Sequence, residues 1–239
     1  MVDLAGKCAD LLLTDSSFAG LGEIRHLRKT LRHLKIDCVL DVGANIGQYA
    51  TMLRNRVGYT GLIVSFEPNP AAFSKLQEKA HGDPNWITMN LALSSSDGTA
   101  KFNVMAEDQF SSLKLPSTTE YADLADANAV RQSIDVKCAR LDTIFDDIRL
   151  QHPFSSPFLK LDTQGNDLEV FSGAAGINQQ IMGVQSELSF KRLYADSPTF
   201  GESLKVYADA GFQLSALVPN NAGHFPFLLE MDCIMVRNE

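Results

Sequence analysis

Val39-Leu40-Asp41-Val42-Gly43-Ala44-Asn45-Ile46-Gly47 decides how the rest of the chain is read. Cys38 to Val42 is a compact apolar run that stops at a glycine, the texture of a parallel strand buried on both faces. The dinucleotide fingerprint needs three glycines, as G-x-G-x-x-G. Here Ala44 and Asn45 break that pattern between Gly43 and Gly47. A P-loop would continue as Gly-Lys-Ser/Thr, whereas Gln48 and Tyr49 follow Gly47. What fits is a tight strand-to-helix turn whose backbone can approach a small, non-phosphorylated ligand, with Asp41 placed to accept from it. A plain βα turn that uses glycines for its geometry explains the same residues.

The flanking sequence extends the pattern. Gln48 to Arg56 reads as a helix, and Leu62 to Phe66 as a second strand ending at Glu67. Pro70 after Asn69 starts another helix with Phe73, Leu76 and Ala80 on one face. Trp86 to Leu91 is a third strand. Alternation of this kind predicts an α/β fold, a doubly wound parallel sheet. Glu67 stands about 20 residues past Gly47, where such folds use an acid to accept from a ribose diol. Open sheets bind ligands outside the carboxyl ends of their strands. Asp41, Gly43, Glu67, Asn90 and Asp162 all fall at or just after such ends.

The rhythm breaks after Asp97-Gly98. Ala100 to Met105 and Ile134 to Cys138 read as added strands around a polar stretch, Glu107 to Asn128. Its Phe110, Leu113, Leu115 and Tyr121 offer apolar contacts and Ser111 and Ser112 polar ones, so residues 107–128 are read as a lid-like insertion. Leu141 to Ile148 is a helix, Phe158 to Asp162 a strand ending in an acid, and Asp167 to Ser172 a helix. Ile181 to Leu188 is the next strand, and Lys191, Arg192 and Tyr194 after it read either as a charged helix start, the favoured reading, or as a second group touching substrate. Phe212 to Val218 and Leu228 to Val236 close the chain. Their link is too short for a helical crossover, so they pair antiparallel. At the other end, Leu4, Cys8, Leu11 and Leu12 suggest one short helix. Ile24, Leu27, Leu31 and Leu34 suggest another after Gly20-Leu21-Gly22. Residues 1–38 are thus read as a helical cap and 39–239 as the main domain.

The 239 residues are 45% hydrophobic and 21% charged, which excludes disordered and collagenous classes. A formal net charge of -8 argues against nucleic-acid partners, whose binding runs on phosphate neutralisation, and against an anionic membrane surface. No apolar stretch approaches the ~18 residues of a membrane span. Residues 1–10 lack a signal-peptide apolar block, and a cytoplasmic location is expected. Cys8, Cys38, Cys138 and Cys233 have no metal-knuckle spacing and read as free thiols, three of them in strand-like runs.

Taken together, the chain resembles the FkbM family of S-adenosylmethionine-dependent methyltransferases. The resemblance rests on residues 40–49, 64–70 and 90–98, and most specifically on Leu159-Lys160-Leu161-Asp162-Thr163-Gln164-Gly165-Asn166-Asp167 with Val184-Gln185-Ser186-Glu187-Leu188-Ser189. Glu230-Met231-Asp232 completes it, and it spans about residues 39 to 237. It implies a seven-stranded Rossmann-like sheet with the last strand antiparallel. It implies that the turn of Gly43, Ala44, Asn45 and Gly47 holds the methionine end of the cofactor, that Glu67 holds the ribose, and that Ala92 and Leu93 flank the adenine. Pro68, Asn90 and Asp162 join the same cofactor site. Many members carry Glu at the positions of Gln164 and Asp167, so Gln164 lacks a charge near the reaction centre.

Methyl transfer to a hydroxyl benefits from a general base. The candidates are Asp162, Glu187 and His224, whose imidazole titrates near neutrality. An oxygen cluster of Asp162, Glu187 and Asp232 would suit Mg²⁺, though no spacing demands a metal. The reading that follows is O-methylation of a small hydroxylated acceptor, a sugar, glycolipid or secondary metabolite. N-methylation, a non-catalytic cofactor-binding protein and an NAD-dependent oxidoreductase are the alternatives. A homo-oligomer is compatible with the sequence.

Overall fold

The computed structural model describes residues 15–107, 110–116, 129–192, 194, 196–219 and 228–237. Strand β1 (Cys38–Val42) is buried along its whole length, as a strand covered on both faces of a sheet is. It is flanked in parallel by β2 (Leu62–Phe66), and β2 in turn by β3 (Trp86–Met89). The crossovers carry α2 (Gln48–Met52) and α3 (Pro70–Ala80). Asn69 caps α3, its side chain accepting from the Ala71 amide at 3.1 Å, with Pro70 at the first helical position. α2 is shorter than the sequence pattern suggests. It widens into a π-helical turn at Leu53–Val57 and stops at Gly58, whose φ is 76°.

The chain next builds a small sheet from β4 (Ala92–Leu93), β5 (Gly98–Met105) and β6 (Val130–Ala139), with β6 central. Ala92, Phe102, Val136 and Cys138 form its own core. After α4 (Leu141–Gln151), β7 (Pro157–Leu161) returns to the main sheet beside β1. α5 (Asp167–Ser172), β8 (Gly183–Ser189), α6 (Phe200–Asp209), β9 (Phe212–Pro219) and β10 (Glu230–Arg237) follow. The main sheet has seven strands in the order β3-β2-β1-β7-β8-β10-β9. β10 runs antiparallel to both neighbours and slots between β8 and β9, so the expected antiparallel last strand is internal and β9 forms the edge.

One expectation is corrected before β1. Gly20-Leu21-Gly22 does not precede a helix; it lies inside α1 (Asp15–His33). Ile24, Leu27, Leu31 and Leu34 are buried and pack in one cluster with Val39, Ile63, Phe158 and Ile234. That burial outweighs the roughly 1 kcal/mol that each helical glycine costs. The helix suggested at Leu4–Leu12 lies outside the described residues.

Cys38, Cys138 and Cys233 are buried free thiols. Among the described residues, no helix is long and apolar enough to cross a membrane.

Candidate active site

A cavity of about 490 Å³ opens at the carboxyl ends of β1, β2, β7 and β8, within the range of small-molecule sites. Its first wall is the turn after β1. Gly43 takes φ 76°, and a Cβ there would stand 1.9 Å from the Asp162 carbonyl oxygen, so the approach of β7 leaves room only for glycine. Ala44 and Asn45 also line the cavity. The Asn45 amide donates to Glu67 Oε2 at 2.7 Å, and the Asn69 amide to Glu67 Oε1 at 2.8 Å. Glu67 is therefore a fixed carboxylate, and each oxygen keeps a second lone pair for a ligand. Burial pushes its pKa up to about 7, against the opposing pull of the Asn69 and Asn45 amides. Pro68, Ala92 and Leu93 line the same end.

Three expected contacts sit elsewhere. Gly47 does not line the cavity; it packs against Leu76 and Trp86, which a Cβ would meet at 2.9 Å. Asn90 is exposed and holds the loop from outside, its side-chain amide donating to the Glu67 carbonyl at 2.8 Å and the Pro68 carbonyl at 3.1 Å. Asp41 is fully buried beneath the cavity. It pairs in register with Lys160 on β7, and Lys160 Nζ lies 3.3 Å from Asp41 Oδ1. Ser65 Oγ donates to the other Asp41 oxygen at 2.9 Å and itself accepts from Trp86 Nε1 at 3.0 Å. A mid-strand carboxylate needs a partner, and Asp41 finds one in the neighbouring strand instead of in a ligand.

Lys160 is the residue that sequence reasoning missed. It lines the cavity floor and also reaches Asp162 Oδ2 at 3.4 Å. Burial works against its charge, but Asp162, Asp41 and Asp232 hold its pKa above the ordinary lysine value. The available signal was the repeated arrangement of a charge flanked by apolar residues, Leu40-Asp41-Val42 and Leu159-Lys160-Leu161.

Asp162 projects into the cavity from the end of β7 with its side chain 44% exposed. The loop behind it is tied by Asp167, which accepts from the Thr163 amide at 2.8 Å, Thr163 Oγ1 at 2.6 Å and Ser186 Oγ at 2.8 Å. Gln164, at φ 54°, donates from one amide nitrogen to Asp162 Oδ1 at 3.0 Å and Glu187 Oε2 at 3.3 Å. A glutamate at 164 would instead place a third carboxylate there. The Tyr194 hydroxyl lies 2.7 Å from Gln164 Oε1. Tyr194 is buried behind the loop rather than lining the cavity, and Lys191 and Arg192 do not line it either.

Glu187 faces Asp232 across the β8–β10 pairing. Both line the cavity, as do Glu230 and Gln185. Gln185 Nε2 donates to Asp232 at 3.0 Å and Glu23 at 2.9 Å, while its oxygen accepts from the Tyr49 hydroxyl at 2.8 Å. Burial, and then the charges of Glu230, Asp162 and Asp232, drive the Glu187 pKa well above the carboxylate range. These surroundings favour the protonated form of Glu187 over its carboxylate.

From the insertion, Phe110, Ser111 and Leu113 reach the cavity, and Ser112 Oγ donates to the Gln164 carbonyl at 2.7 Å. Leu115 is 59% exposed. Tyr121 and His224 lie outside the described residues. Among the described residues no group of three or more His, Cys, Asp or Glu has the arrangement to hold a metal ion, so the Mg²⁺ expectation finds no support.

The fold is loosely similar to magnesium protoporphyrin IX methyltransferase of Synechocystis PCC 6803, solved with bound SAM. The TM-score is 0.48 at 10% identity, covering 100% of this chain and 86% of that one. Fibrillarin of Aeropyrum pernix, solved with S-adenosyl-L-methionine, gives 0.45 at 11% identity, covering 84% and 66%. In sequence the chain is 28% identical over 169 residues to the hexuronic acid methyltransferase AglP of Haloferax volcanii. That match takes in 70% of this chain and 62% of the length of AglP. The methyltransferase FkbM domain model matches residues 41–214, the stretch that builds both walls of the cavity from Gly43 to Glu187, and the chain belongs to that family.

Proposed function

We propose that the chain transfers a methyl group from S-adenosylmethionine to a hydroxyl of a sugar-like small molecule. The observation that carries this reading is one cavity joining a backbone-held Glu67 at its β2 end to Asp162 at its β7 end. The cofactor suits the residues present. Glu67 has lone pairs for a ribose diol, Ala92 and Leu93 give an apolar wall, and the acids around Asp162 favour a cationic sulfonium. Bound there, the cofactor supplies an electrophilic methyl group.

The chain contributes positioning and proton handling. Asp162, oriented by Lys160 and Gln164, accepts the proton of the acceptor hydroxyl. Glu187, shifted toward its protonated form, is the poorer base and orients the acceptor by hydrogen bonding. The FkbM family and the hexuronic acid named for AglP support a sugar acceptor. N-methylation is less suited to this site. Its carboxylates would hold an amine as ammonium, which has no lone pair for attack.

Calorimetry with S-adenosylhomocysteine, followed by transfer of labelled methyl to a panel of hydroxylated acceptors, tests the reading. Tight NADH binding with no response to S-adenosylhomocysteine would sink it. Glu67→Ala is expected to weaken S-adenosylhomocysteine binding roughly 10- to 100-fold, the cost of losing hydrogen bonds to a charged group. The ribose hydroxyls need the ionised carboxylate. With the ligand-free pKa at about 7, affinity should be full at pH 8 and fall as pH drops through 7. Glu67→Ala should flatten that profile.

A further inference from the structure

Glu230 has no role in the reading above, yet its place is unusual. It opens β10, opposite Ser189 at the end of β8, two residues from Asp232 and diagonal to Glu187. Strand periodicity puts these three carboxyls on one face, and all three line the cavity. Glu230 is 5% exposed, and its Oε1 has no hydrogen-bond partner among the described residues. A buried orphan oxygen costs free energy and calls for a missing partner. The strand order puts it at the end of the cavity away from Glu67, with β1, β7 and β8 between.

We propose that Glu230 is a specificity residue of the acceptor half, and that with Glu187 and Asp232 it receives an uncharged, hydroxyl-rich ring and rejects a uronate. This rests on the methyl-transfer reading. Hydroxyls can hydrogen-bond to Glu230 Oε1 and to the neighbouring carboxyls of Glu187 and Asp232. A uronate carboxylate would only add negative charge. Among the described lining residues the single cation is Lys160, already held by Asp41 and Asp162. The acceptor would then differ in charge from the hexuronic acid for which AglP is named.

The test uses the full chain loaded with S-adenosylhomocysteine. Binding of methyl glucoside, mannoside and galactoside is compared with that of the matching methyl uronosides. The expected result is that at least one neutral glycoside binds roughly 100-fold or more tightly than its uronoside, the scale of a like-charge contact. Glu230→Gln should narrow that ratio about tenfold, with S-adenosylhomocysteine affinity unchanged, while Glu230→Asp keeps most of it. Equal or tighter uronoside binding, no binding of any neutral glycoside, or a ratio indifferent to Glu230→Gln would overturn the proposal. The wild-type comparison decides the question even if the variants fail to fold. Failure to load S-adenosylhomocysteine would instead be a failure of the methyl-transfer reading.

Discussion

Asp162→Asn is expected to lower kcat roughly 10²- to 10⁴-fold, the usual worth of a positioned general base. Affinity for S-adenosylhomocysteine should change by less than about threefold, since the loss falls in the transition state. The substitution is nearly isosteric, and the side chain is 44% exposed on the cavity side, so the fold should tolerate it. Lys160 still has Asp41, and the backbone bond from the Asp162 amide to the Val42 carbonyl is untouched. Single-turnover methyl transfer and calorimetry on the same preparation separate the two quantities. A large loss of S-adenosylhomocysteine affinity at nearly full kcat would make Asp162 a cofactor ligand and leave the base unassigned.

Lys160→Met should act on the fold instead. It strands Asp41, which is fully buried, with Ser65 as its remaining side-chain hydrogen-bond partner. Breaking one side of a buried ion pair typically costs about 3–5 kcal/mol, which corresponds to a Tm lower by roughly 10 °C for a chain of this size. Adding Asp41→Asn should recover most of that loss, because the uncompensated charge is then gone. A double-mutant cycle measures the recovery. Additive losses in the cycle would show that the pair contributes little and that each side chain matters through other contacts.

Much of the fold was legible because β1, β2 and β7 carry the largely apolar runs that a sheet covered on both faces demands. What escaped was too short or non-local. β4 has two residues, below any periodicity, although it forms part of the cavity wall. Gly20 and Gly22 signalled a break, and tertiary burial of Leu27 and Leu31 overrode them. At the site, Gly43 and Glu67 could be reasoned from local geometry. Asp41 could not, because its partner arrives from a distant strand and turns an apparent ligand contact into an internal ion pair. Gln164 looked like a missing charge; its amide is the group able to donate to Asp162 and Glu187 together.

The pairing of β1 with β7 also bears on how the molecule assembles. Cys38 meets Pro157 and Val42 meets Leu161, positions about 120 residues apart in the chain. The units built on β1, β2 and β3 are local, whereas this closure is not, and non-local pairing slows folding. Gly43 and Asp162 meet across that seam, so the cavity exists only after the seam has closed. A ligand that needs both sides gains nothing from earlier, partly folded states. Its stabilisation should therefore appear as slower unfolding, with the refolding rate nearly unchanged.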